Sequence, residues 1–125
     1  MLNLSVVHAQ FAVSRLDAFL PVPNWALEEG TFFSITRTKD ELSIVCEETK
    51  VPAGVKSEKG WCALKVEGPL DFSLTGILSS LASPLAAASI SIFAISTYDT
   101  DYLLIKKGDF EKALSVLGQF CKILR

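Results

Sequence analysis

A chain of 125 residues, half of them hydrophobic, suffices for one conventional domain or two very small ones with a real core. Twelve basic and fourteen acidic residues leave a net charge of −2, and no Lys/Arg cluster occurs, which argues against a nucleic-acid surface. Three widely spaced cysteines, Cys46, Cys62 and Cys121, with no CxxC and with His8 as the lone histidine, indicate neither a disulfide framework nor a zinc site but a reduced cytoplasmic protein with cysteines in its core.

Residues 2–16 read as a strand, with Val6, Val7, Phe11, Val13 and Leu16 as β-formers and room for a bend near His8 to Gln10. LPVPNWALEEG, residues 20–30, reads as a turn and one short helix capped by Asn24 and stopped by Gly30. A hairpin follows: Thr31 to Arg37, a turn at Thr38 to Asp40, then Glu41 to Glu47 with Leu42, Ile44 and Cys46 on one face. Residues 48–59, polar and punctuated by Pro52 and Gly54, read as a loop.

A second cycle begins at Gly60. Trp61 to Val66 is a strand, ended by Gly68 and Pro69. A helix is expected from near Asp71 or Ser73, because Leu74, Ile77, Leu78, Leu81 and Leu85 recur at helical spacing. Pro84 has no N–H to give the carbonyl of Ser80, which predicts a kink or restart there. Strands are expected at Ser91 to Ser96 and Asp101 to Lys106. A last helix runs from the cap Asp109 to about Lys122, burying Phe110, Ala113, Leu114, Leu117 and Phe120.

The second half therefore reads β-α-β-β-α, a ferredoxin-like βαββαβ plan without its last strand, so another strand must cover that place. The expected class is α+β: two ferredoxin-like units with antiparallel sheets that share or exchange strands, the first at residues 1–58 with a short or degenerate first helix, the second at 59–125. An unpaired edge would otherwise invite association.

Two stretches carry the site chemistry. In GPLDFSLTG, Gly68 to Gly76, a strand gives way to a helix whose first N–H groups lack intrahelical partners and attract an anion such as a carboxylate. Asp71 or Ser73 capping the helix accounts for the same residues without a ligand. In STYDTD, Ser96 to Asp101, Asp99 is an ordinary turn residue, whereas Asp101 starts a strand, where Asp fits poorly. Either the two shape a turn, or they accept from an amine. The loop and the hairpin are expected at different ends of the sheet, so a ligand touching both calls for a second unit or an unusual hairpin.

No nucleotide, nucleophile-elbow or zinc-protease motif occurs, and no cofactor is implied. The N-terminus lacks a signal-peptide pattern, and the longest apolar stretch is too short to span a membrane.

The run WCALKVEGPLDFSLTGILSSLASPLAAASISIFAISTYDTDYLLIKKGDFEKAL, Trp61 to Leu114, closely resembles the ACT domain family: small tandem-ACT proteins, the ACT units of cytosolic arginine sensors and, more distantly, aspartate kinase regulatory regions. FFSITRTKDELSIVCEE and VPAGVK extend the likeness over nearly the whole chain. The resemblance implies a regulatory, non-enzymatic protein that binds a free amino acid as effector, pairs as a homodimer, and acts on an enzyme in trans; the alternative is an interaction module without a ligand. It implies a carboxylate received at Gly68, Pro69, Leu70, Asp71, Phe72 and Ser73, and an amine or basic side chain received at Asp101 with Asp99. Many ACT units carry Gly at the end of the first helix, where this chain has Ser89, a position at which φ > 0 costs serine.

Overall fold

The computed structural model describes residues 2–68 and 75–125. Among the described residues seven strands and two α-helices follow one another: β1 Asn3–Leu16, β2 Ser34–Arg37, β3 Leu42–Glu47, β4 Lys56–Val66, α1 Ile77–Ala87, β5 Ile92–Ser96, β6 Asp101–Lys106, α2 Phe110–Leu117 and β7 Lys122–Leu124. The class is α+β, as the sequence predicts. The chain divides into two compact units, Met1–Val7 with Cys62–Arg125 and His8–Trp61. β1 is one continuous strand, and the division falls at the His8 position where a bend is expected. β1 and β4 thus each give one end to each unit.

In the unit His8–Trp61, β1 pairs antiparallel with β3, setting Ala12 opposite Cys46 and Leu16 opposite Leu42, and β3 pairs antiparallel with β2. Ala12, Ala26, Leu42, Ile44, Cys46 and Val51 form its core. The expected short helix is a 3-10 turn, Asn24–Leu27, opened by the Ala26 N–H bonding the Pro23 carbonyl at 3.1 Å. Pro21, Pro23 and Gly30 leave too short a run for a stable α-helix. β4 begins at Lys56, so the tail of the expected loop is strand; KSEKG has no apolar alternation to reveal it.

Gly30 passes close to two side chains here. A Cβ on it would stand 2.5 Å from Lys50 Nζ and 2.7 Å from Glu47 Oε2. Lys50 donates to the carbonyls of Glu28 and Glu29, and Glu47 Oε2 accepts from the Thr31 N–H at 2.7 Å and its hydroxyl at 2.8 Å. The Thr31 N–H and hydroxyl hold the Glu47 carboxyl below the usual range. Its folded-state pKa is depressed, so its stabilisation is present above the unfolded-state value and is lost as pH falls through the folded value. Glu47→Gln is therefore expected to lower stability modestly at pH 7, by under about 1 kcal/mol for a half-buried group whose carboxylate is still screened by solvent. Urea titrations of both proteins should converge once the pH falls well below about 4.3, the ordinary Glu value.

In the unit Met1–Val7 with Cys62–Arg125, the strands lie in the order β7-β1-β4-β6-β5. β4-α1-β5-β6-α2-β7 is a complete βαββαβ unit, with the start of β1 inserted between β7 and β4. Asn3 to Ser5 pair parallel with Lys122 to Leu124, and the Glu67 N–H bonds the Asn3 carbonyl at 2.9 Å. The last strand is therefore present, contrary to expectation. α2 stops at Leu117 rather than near Lys122, because the chain turns at Gly118, where a Cβ would stand 3.0 Å from the Leu114 carbonyl. Phe120, expected in the buried face, lies past the helix end and is exposed. Leu4, Leu64, Val66, Leu81, Leu85, Leu103, Ile105 and Leu117 anchor the core with Phe110, Ala113 and Leu114.

α1 runs unbroken through Pro84, so the expected restart does not occur. Pro84 stands in the last turn of α1, where it takes one donor from the Ser80 carbonyl. α1 ends in a Schellman motif: the Ile90 N–H bonds the Leu85 carbonyl and the Ser89 N–H bonds the Ala86 carbonyl, each at 2.9 Å, with Leu85 and Ile90 both in the core. Ser89 takes φ +61° there without being glycine. Ser89→Gly is expected to stabilise by up to about 1 kcal/mol, the left-handed strain relieved less the added unfolded-state entropy. Ser89→Val should destabilise, and thermal melts of the pair will show the opposite signs.

Burial pushes the Cys46 and Cys121 thiols up, so both stay protonated in the core positions expected of them. Among the described residues no helix is long and apolar enough to cross a membrane, and no group of three His, Cys, Asp or Glu is placed to hold a metal.

Candidate functional site

The hairpin between β5 and β6 is built from its own threonines. The Thr97 N–H bonds the Thr100 carbonyl at 2.7 Å, the Thr97 hydroxyl donates to the same carbonyl at 3.1 Å, and the Thr100 N–H bonds Thr97 Oγ1 at 3.2 Å. These bonds close the tip over Tyr98 and Asp99, both exposed. Ser96 and Asp101 face each other in register, and the Ser96 hydroxyl donates to Asp101 Oδ1.

Thr100 is buried, and its hydroxyl donates to the Val66 carbonyl, the last of β4. That bond sets the hairpin tip beside the chain as it leaves β4 toward Gly68. The expectation that loop and hairpin lie at different sheet ends is thus corrected. A crossover helix makes β4 and β5 run alike, the tight hairpin reverses β6, and so the end of β4 meets the start of β6.

Side-chain alternation then aims Asp101. Asp101, Leu103 and Ile105 share one face of β6, and Leu103 and Ile105 pack in the core with residues of α1 and α2. Asp101, half-buried, therefore projects from the sheet end on the helix-bearing side. Gly68 is exposed at the end of β4. Pro69, Leu70, Asp71, Phe72 and Ser73 lie outside the described residues, as does the expected helix start at Asp71 or Ser73. As described, α1 opens at Ile77 behind Gly76, which has φ +76°, and the Ser80 N–H bonds the Gly76 carbonyl at 2.8 Å.

The structure therefore brings Gly68 and Asp101 to one end of one sheet and leaves Asp99 at the exposed tip. Thr100 is the residue that sequence reading missed. Its signal was a hydroxyl between two aspartates, easily read as turn polarity. Glu67 also lies here but faces away: it accepts from the Ser5 hydroxyl, and Ser5 alternates with core-facing Leu4 and Val6.

The ACT domain sequence profile matches residues 56–119, and a second profile, described as an N-terminal domain, matches residues 9–54. The human cytosolic arginine sensor for mTORC1 subunit 1 is 33% identical over 95 residues, covering 70% of this chain and 29% of the sensor. The chain spans less than two thirds of the length of the first curated relatives it matches. Protein Atu0741 from Agobacterium tumefaciens superposes with a TM-score of 0.92 at 40% identity, over 98% of this chain and 92% of that one. The Clostridium acetobutylicum aspartate kinase superposes with a TM-score of 0.65 at 16% identity, over 88% of this chain and 32% of the kinase, which shows the fold alone. With a matching profile over half its length and the βαββαβ unit complete within it, the chain belongs to the ACT domain family.

Proposed function

We propose that the chain is a non-catalytic regulatory protein that binds a free amino acid. Backbone N–H groups near Leu70 to Ser73, next to Gly68 and Pro69, receive the carboxylate, and Asp101, with Asp99, receives the ammonium or a basic side chain. The observation that carries this reading is the bond from the Thr100 hydroxyl to the Val66 carbonyl, which holds an acidic strand start against the end of β4, two residues before Gly68. A carboxylate at the sheet end favours a cationic ligand such as arginine or lysine. The name of the human relative, an arginine sensor, supports that choice.

The same reading takes residues 1–58 and 59–125 as two ACT-like units, and takes the protein as a cytoplasmic homodimer that acts on a regulated enzyme in trans. The place of β5 at the end of the strand order supports pairing. An open groove of about 500 Å³ lined by Ala82, Ala86, Ser89 and Ile92 adjoins it.

A second reading, an interaction module without a ligand, is favoured by the Ser96 to Asp101 bond, which gives the carboxylate a structural partner. A thermal-shift screen against the standard amino acids at fixed protein concentration separates the two. A ligand that binds only the folded state raises its stability. A saturable rise with one basic amino acid supports the sensor; a flat response from a well-folded sample supports the module.

A further inference from the structure

In the unit His8–Trp61 the core lies on one face of the sheet. Ala12, Leu42, Ile44 and Cys46 turn to it and meet Ala26 of the 3-10 turn. Alternation sends Phe11, Val45 and Glu47 to the other face. The unit has no α-helix of its own among the described residues to cover that face. Phe11 is nonetheless fully buried and Val45 nearly so.

The chain itself crosses over to cover Phe11. Ala26 sits in the core, whereas the ring of Phe32, six residues on, lies 4.9 Å from that of Phe11, which stands opposite Glu47 in register. Residues 27–31 between them are exposed. Their ties come from the two ends of one short stretch. Lys50 Nζ donates to the carbonyls of Glu28 and Glu29, and Glu47 Oε2 accepts from the N–H and hydroxyl of Thr31. Gly30 passes between the two, where a Cβ would meet both side chains.

Magnitudes decide how this segment behaves. Its polar ties stand in contact with solvent, so each contributes little. Its apolar tie is one half-buried ring on a buried one. The core on the opposite face takes in neither Phe11 nor Phe32. The segment can therefore detach at a lower free energy than the unit unfolds.

We propose that residues 28–32 are a lid, latched by Lys50 and Glu47 and plugged by Phe32, which opens as one piece and uncovers Phe11 while the sheet stays folded. The lid gates an apolar sheet face, and its action does not depend on the hairpin chemistry.

Amide hydrogen exchange of the full chain, followed by NMR, reads the lid. The Thr31 amide should be protected, though less than the paired amides of β1 and β3. Lys50→Met removes bonds to Glu28 and Glu29 only, yet should lower Thr31 protection about tenfold, the worth of one such hydrogen bond. It should also weaken the Overhauser contact between the Phe11 and Phe32 rings and leave β1 and β3 protected. Gly30→Ala, whose methyl displaces both latches, should give the same pattern and serves should the first variant fail to fold. Three results would overturn the proposal. The Thr31 amide of the wild type could exchange as in an unfolded chain. Its protection could stay unchanged in the variants, which would make the ties independent. Or β1 and β3 could lose protection in step with Thr31, which would make the segment part of the core.

Discussion

Asp101→Asn is expected to weaken binding of a basic amino acid roughly 10–100-fold, because a hydrogen bond to a charged partner is worth about 1.5–3 kcal/mol. The ligand-free protein should keep its stability within about 0.5 kcal/mol. The amide keeps the shape of the carboxylate, and its oxygen still accepts from the Ser96 hydroxyl. Thr100→Val should behave in the opposite way. It removes the donor to the buried Val66 carbonyl, leaving that group unsatisfied, at about 1–3 kcal/mol. Stability then falls first, and binding falls with it as the hairpin loses its anchor. Calorimetric titration beside urea melts of both variants reads the split. Should Asp101→Asn bind as wild type, the carboxylate only shapes the turn. Should it unfold the hairpin, the Ser96 bond requires the charge itself.

The same pair of residues shows what a sequence discloses. Asp101 was visible because a charged residue opening an apolar strand breaks a local rule. Thr100 obeys every local rule for a turn, and only the pairing of β4 with β6 makes it a buried anchor. α1, β5, β6 and α2 were legible because their apolar residues recur at helical or alternating spacing. KSEKG was not, since its strand character comes from neighbours in the sheet rather than from its own side chains. The end of α2 was overrun because Leu117, Phe120 and Cys121 continue the helical spacing past Gly118, and the chain instead uses Cys121 as core and exposes Phe120.

In the sequence a shortage, one strand too few in the second half, predicts exchange of a strand between the units. The structure gives that half its own last strand and the start of β1 as well. Leu4 is the measure of that contribution. It is fully buried, and every other buried member of its core lies at Leu64 or beyond, sixty residues along the chain. Leu4→Ala removes apolar atoms from a packed site and leaves a cavity, which costs about 2–5 kcal/mol. α1 and α2 belong to the unit that Leu4 serves, while Trp25 and Trp61 lie in the other. Far-ultraviolet circular dichroism therefore follows the first and tryptophan fluorescence the second. The dichroism transition should move to lower urea by the full amount, and His8→Ala, at an exposed position of the same strand, should move it by no more than about 0.5 kcal/mol. A Leu4→Ala shift below about 1 kcal/mol would make the first seven residues a peripheral strand rather than part of the ACT core. A shift of the expected size would mean that a fragment beginning at residue 59, however complete its βαββαβ order, lacks a strand its core is built around.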